Sequence, residues 1–289
     1  MGENGAPVRI RHFTDPGCPF AFTAERQRLR LRWLYDEQLA WTTHVVVLHP
    51  TPPAHPSPEQ VAAGRRMLYE RYGMPFSWTP APSPSATVDA CRAVVAARLE
   101  SEERCGPLLR RLRVLHFGGL PLDDPATIGL AADQAGIDTR ELDGWVRAPA
   151  VEAAMSADMR AARSPSPASR AQDYKLGGPP DERRYTCPSY ELERVGAPPS
   201  DWPTAGRVDL PGFRPVEAYE AALANLAPEL VRRPDPSRPA EVLEWAGMPL
   251  ATAEVAAVSD REIADVREQL GRVARFEPVG SDGYWALVR

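Results

Sequence analysis

HFTDPGCPFAF, residues 12–22, is the stretch on which the reading of this chain turns. The segment PVRIRHF (7–13) alternates and is rich in β-formers, which predicts a strand. TDPGC then makes a turn. From Pro19 to about Tyr35, residues Phe22, Leu29, Trp33 and Leu34 recur at helical spacing with arginines between them, which predicts one helix. Cys18 therefore stands after a strand and at the mouth of a helix. Unpaired backbone N–H groups and the positive end of the helix dipole favour thiolate over thiol at such a place. Gly17 lets the backbone approach closely, and Pro19 occupies the first helical position, where its missing N–H costs nothing. Taken alone, the segment fits both a nucleophilic cysteine and an inert thiol packed at a turn. Asp15 would raise the pKa of a neighbouring thiol by charge repulsion, but it also suits a capping or turn role, the one assigned to it here. Phe20 faces substrate or packs as wall. His12 precedes the turn and is expected to make a structural hydrogen bond, with reach to Cys18 as the alternative.

Working outward, QLAWTTHVVVL (38–48) reads as a buried second strand, so strand, helix and strand within about fifty residues imply a parallel pair. Helical periodicity then runs through 58–72, 85–103, 107–117, 124–135, 139–147 and 149–162, with proline-rich turns between. In SATVDACRAVVAARLE (85–100), Val88, Cys91, Val95 and Leu99 are expected on one apolar face. SPSPASRAQDYKLGGPP (164–180) reads as a loop back to the sheet. YTCPSYELERV and GRVDLPGF supply two further strands, and PVEAYEAALANLAPELVRR (215–233) a helix. The fold class is α/β: a core from 1–56 and 165–233, an all-helical insertion at 57–164, and a tail at 234–289. The tail reads helix, helix, helix, strand, strand, the winged-helix order. Its third helix carries Asp260, Glu262, Asp265 and Glu268 against Arg261, Arg267 and Arg272. That lacks the positive surplus a DNA-reading helix brings to phosphates, so the tail is read as a packing or partner-binding module.

Composition narrows the classes. With 289 residues, 43% hydrophobic and 25% charged, the chain can bury a core and is too apolar for wholesale disorder. A net charge of -5 gives no electrostatic reason to expect nucleic acid as partner. No stretch approaches the roughly 18–20 apolar residues of a membrane span. MGENGAPVRIRHF lacks a basic region followed by an apolar one, so no secretory signal is expected and the cytosol is the expected compartment. Four cysteines are too few for a disulfide scaffold. Cys91 is assigned to core packing and Cys105 to an exposed helix start. No Cys or His pair has zinc-ligand spacing, so no metal is expected.

The second informative segment is TCPSYEL, 186–192. A proline opening a strand fits a cis Cys187–Pro188 bond at a structural turn, or an ordinary edge strand. Together the two segments resemble the DsbA-like thioredoxin superfamily, in its FrnE-like and 2-hydroxychromene-2-carboxylate isomerase-like branches. The resemblance covers roughly residues 7–233 and implies a thioredoxin fold. Where the oxidoreductases carry Cys-Pro-X-Cys, this chain has Cys18, Pro19, Phe20 and Ala21, so dithiol chemistry within that motif is impossible. The resemblance implies a thiol–disulfide oxidoreductase or isomerase with Cys18 as nucleophile and Pro188 shaping the site. Pro19, Phe20, Asp15, Thr186 and His12 would surround the bound thiol. A glutathione- or mycothiol-dependent isomerase or transferase and a non-catalytic scaffold stay open. No tightly bound cofactor is expected beyond such a small thiol, and dimerisation stays open. The residue before the cis-proline faces the active-site helix in that fold, so Cys187 is expected near Cys18, as a candidate for the missing second thiol.

Overall fold

The computed structural model describes residues 5–54, 57–79, 83–196 and 206–288. The chain opens with β1 (Val8–Thr14), α1 (Pro19–Thr23), α2 (Glu25–Tyr35) and β2 (Leu39–Val45). Six helices follow: α3 (Pro58–Tyr72), α4 (Val88–Glu100), α5 (Glu102–Phe117), α6 (Pro125–Gln134), α7 (Thr139–Val146) and α8 (Pro149–Ala162). The return to the sheet runs through α9 (Pro167–Arg170), β3 (Leu176–Gly177), β4 (Arg184–Tyr185), β5 (Ser189–Arg194), β6 (Arg207–Leu210) and α10 (Val216–Leu226). The tail holds α11 (Pro239–Ala246), β7 (Leu250–Ala251), α12 (Thr252–Ser259), α13 (Ile263–Leu270), β8 (Ala274–Val279) and β9 (Asp282–Leu287). No helix is long and apolar enough to cross a membrane among these residues.

The main sheet has the order β2-β1-β5-β6. β1 runs parallel to β2, with Val8 opposite Leu39 and Thr14 opposite Val45, and antiparallel to β5. β6 adds antiparallel to β5. This is the α/β thioredoxin arrangement that the resemblance implies. Side chains alternate across β1. Val8 and Ile10 pack with Leu29 and Leu34 of α2 and with Tyr219 and Leu223 of α10. Phe13 points the other way, to Val46, Ala162 and Tyr185.

Helix bounds follow local chemistry. Ser57 and Gln60 form a reciprocal capping box at the start of α3, and Asp124 and Asp138 cap α6 and α7. α5 begins at Glu102, not 107, because Ser101 caps it and Pro107 is taken into the helix. The single helix expected over 19–35 is broken at Ala24. Thr23 Oγ1 donates to the Phe20 carbonyl at 2.9 Å, a back-bond of the kind that bends helices. α10 stops at Leu226 rather than 233, since Pro228 disfavours helical backbone at Ala227. Leu99 is 47% exposed, so the expected apolar stripe on α4 is wrong at its end; the helix buries Ala90, Cys91, Ala93 and the run Val94–Ala97 instead.

The tail is not set apart from the rest. Val242, Leu243, Val255, Val258, Val266 and Trp285 share one apolar core with α2, β1 and α10. The three-stranded tail sheet has the order β7-β9-β8. The tip of its hairpin is docked: Ser281 N donates to the Phe76 carbonyl and Ser281 Oγ accepts from Phe76 N, both at 3.0 Å. Gly280 there has φ +54, and a Cβ on it would collide with the Phe76 carbonyl. The turn between β8 and β9 thus rests on the insertion.

Candidate functional site

β1 delivers the chain into the turn Asp15-Pro16-Gly17-Cys18, closed by Cys18 N donating to the Asp15 carbonyl at 3.2 Å. Asp at the first and Pro at the second position suit such a turn. Asp15 Oδ1 also accepts from Gly17 N at 2.7 Å. A Cβ at Gly17 would lie 2.7 Å from Thr87 Cγ2, so glycine is needed for close approach. Cys18 is the N-cap residue of α1, with no side-chain cap bond of its own, and Pro19 is at the first turn.

The Cys18 thiol is 6% exposed and donates to the Cys187 carbonyl at 3.2 Å. The Cys187–Pro188 peptide is cis. The neighbouring Cys187 side chain pulls the Cys18 pKa below the ordinary value, and the backbone amides of Ala21 and Phe20 add to this; burial and the Asp15 carboxylate oppose it. Burial pushes Cys187 well up, and the contact with Cys18 pushes it further. The two thiols are therefore shifted in opposite directions, Cys18 down and Cys187 up. The other two cysteines are sealed. Burial raises Cys91 well above the usual value, with Asp15 adding to it, and Cys105 to about 12. Cys105 is fully buried, which corrects the exposed position expected for it: the capped start of α5 turns it into the packed face between helices.

Asp15 is fully buried and does not cap the helix. Its Oδ2 accepts from Leu48 N at 2.8 Å and Thr87 Oγ1 at 2.9 Å, with Cys91 Sγ at 3.5 Å. The carboxylate thus ties the Cys18 turn to the end of β2 and to the insertion. Nothing local in the sequence marks Thr87 and Cys91, 72 and 76 residues away, as partners of Asp15. Thr186 Oγ1 donates to the Lys175 carbonyl at 2.7 Å, and Ser189 Oγ donates to the Thr186 carbonyl at 2.6 Å; these bonds brace the Cys187 loop. Of the residues expected around a bound thiol, Pro19 is half-buried and Phe20 is 42% exposed, so both reach the surface. Asp15 and His12 lie beneath it. Among the described residues, no group of three or more His, Cys, Asp or Glu is arranged to hold a metal.

His12 corrects another expectation. Neither ring nitrogen has a hydrogen-bond partner, and the ring stacks on Tyr190 at 4.7 Å. Burial, then the charges of Arg28 and Arg113, hold its pKa well below 6.5. An unfolded chain protonates this histidine near pH 6.5 while the folded one resists. The unfolded state then binds more protons, so stability falls as pH drops below about 6.5, by up to about 1.4 kcal/mol per pH unit. His12→Phe keeps the stacking and removes two unpaired polar atoms, whose burial costs about 1–3 kcal/mol. Denaturant titrations should show the variant more stable at pH 7 and less pH-sensitive between 6.5 and 5. Equal or lower stability with an unchanged pH slope would show that His12 is satisfied in solution.

The sequence profile of the DSBA-like thioredoxin domain matches residues 9–166. No curated protein matches the chain in sequence. Among solved structures, it is similar to a Nitrosomonas europaea protein provisionally named a protein disulfide isomerase (18% identity, 77% of this chain and 98% of that one, TM-score 0.59). It is also similar to a probable DsbA oxidoreductase from Streptomyces coelicolor (19% identity, 78% and 92%, TM-score 0.55). The cytosolic disulfide reductase DsbM from Pseudomonas aeruginosa, solved also with GSH, is a third (13% identity, 76% and 93%, TM-score 0.51).

Proposed function

Since this chain belongs to the DSBA-like thioredoxin domain family, we propose that it is a thiol–disulfide oxidoreductase in which Cys18 is the attacking sulfur. The observation that carries this is the environment of Cys18, an N-cap thiol packed with Cys187 in one apolar cluster and with its pKa pulled down. The Cys18 thiolate attacks a disulfide R–S–S–R′, forms the mixed disulfide Cys18–S–S–R and releases R′S⁻, which takes up a proton. Ala21 stands where the motif's second cysteine would be, so release from this state needs a thiol from elsewhere. A low-molecular-weight thiol such as glutathione or mycothiol is the proposed reductant, in the cytosol. The exposed Phe20 and half-buried Pro19 give the disulfide's substituent an apolar rim to rest on.

A thiol-dependent isomerase or transferase is the second reading. The amides of Phe20 and Ala21 that favour the Cys18 thiolate would equally hold a cofactor thiolate placed there. The two differ in what forms. With a fluorescent peptide mixed disulfide and reduced glutathione, an oxidoreductase turns over and Cys18→Ser drops to the uncatalysed rate. If the wild type does not exceed that rate but binds free glutathione with no protein disulfide, the first reading is wrong and the second stands.

A further inference from the structure

Among the described residues, Cys187 is the cysteine that shares an apolar cluster with Cys18. Cys91 and Cys105 are fully buried in the helical insertion, and Cys91 is turned to Asp15. Cys187 shares the small apolar cluster of Phe13, Cys18, Ala21, Val46 and Tyr185, and its carbonyl accepts the Cys18 thiol at 3.2 Å across 169 residues of sequence. Lys175, Ser189 and Gly212 brace the loop that carries it, through Thr186 Oγ1 and Ser189 Oγ. The position is built rather than incidental.

We propose that Cys187 is the resolving thiol for Cys18, so that the working redox pair is Cys18–Cys187, drawn from two distant loops in place of a Cys-X-X-Cys motif. The proposal rests on the reading of Cys18 as nucleophile. In the mixed disulfide Cys18–S–S–R, the Cys187 sulfur attacks Cys18 Sγ. The Cys18–S–S–Cys187 bond forms, the bond to R breaks, and the departing RS⁻ takes up the proton that Cys187 releases. Over both steps two protein thiols are oxidised and one substrate disulfide is reduced to two thiols. Two molecules of a small thiol then restore the dithiol and leave as their disulfide.

The order of events follows from charge. While Cys18 is a thiolate, its contact and its charge both oppose ionisation of Cys187. Once Cys18 is tied in a mixed disulfide, these two influences are removed while burial, the largest cause of the raised Cys187 pKa, remains, so Cys187 ionises more readily than it does beside the thiolate. Attack by Cys187 is therefore held back until Cys18 has captured a substrate.

The probe is oxidised glutathione, added to the reduced full-length protein, followed by acid quench, alkylation and non-reducing peptide mass mapping. The wild type is expected to release two glutathiones per chain, to lose two hydrogens in mass and to yield a peptide pair joined through Cys18 and Cys187. Cys187→Ser and Cys187→Thr are expected to release one glutathione and keep one on Cys18, with the adduct at least tenfold longer-lived than in the wild type. Two replacements guard against one that fails to fold, and the wild-type measurement needs neither. A wild type that keeps the adduct on Cys18 as long as the variants do overturns the resolving role and leaves Cys18 as a monothiol. A wild type in which Cys18 does not react at all overturns the reading of Cys18 as well.

Discussion

Alkylation of the native protein at pH 7 is expected to fall on Cys18 well ahead of the other three thiols. Cys105, pushed up to about 12, is ionised to about one part in 10⁵ at that pH. A cysteine at the reference of 9.0 is ionised to about 1%, and Cys18 is pulled below that value. Thiolate population thus favours Cys18 by more than a thousandfold. The greater intrinsic nucleophilicity of the more basic thiolate returns about 30-fold over that pKa interval. At least about 30-fold remains before the complete burial of Cys91 and Cys105 is counted. The check is the rate of iodoacetamide labelling of each cysteine against pH, read by peptide mapping. The Cys18 rate should rise through a midpoint below the reference value, and Cys18→Ser should remove the fast phase entirely. If Cys91 or Cys105 is labelled first, or Cys18 titrates at or above the reference, the central assignment fails.

Glu254→Ala is expected to destabilise the whole protein by about 3–5 kcal/mol, the usual cost of stranding a buried charge. Glu254 is fully buried on α12 and paired to Arg110 of α5, with Arg110 Nη2 2.8 Å from Glu254 Oε2. The same carboxylate accepts from Ala251 N at 2.8 Å, and Arg110 Nη2 reaches the Pro249 carbonyl at 3.0 Å. Removing the glutamate leaves a guanidinium without its counter-charge in the seam between insertion and tail. At about 2–4 °C per kcal/mol for a larger chain, the midpoint should fall by on the order of 10 °C. The double replacement Arg110→Met with Glu254→Leu removes both charges and should recover most of that loss. A Glu254→Ala variant within about 1 kcal/mol of the wild type would mean that this seam opens to water and that the tail stands apart from the core.

Sequence and fold divide the information by distance along the chain. What the sequence alone determined is local: the strand, turn and helix around Cys18, the missing cysteine at Ala21, and helix extents such as 58–72 and 149–162, which match α3 and α8. Prolines at first turns, side-chain caps and apolar periodicity act over three to seven residues, so a linear reading captures them. The neighbourhood of Cys18 and Cys187 came from the family resemblance and not from any spacing. Tertiary structure decided the rest. Cys105 at a helix start read as exposed and is buried. His12 read as hydrogen-bonded and is stacked without a partner. Asp15 read as a cap or turn residue, and its second oxygen is held by Thr87 and Cys91, 72 and 76 residues away. The tail read as a packing or partner-binding module, and the surface it packs on is α2 and the sheet, with which it shares one apolar core. Burial and hydrogen-bond partnership depend on which distant surfaces close over a residue, and local propensity carries no record of that closure.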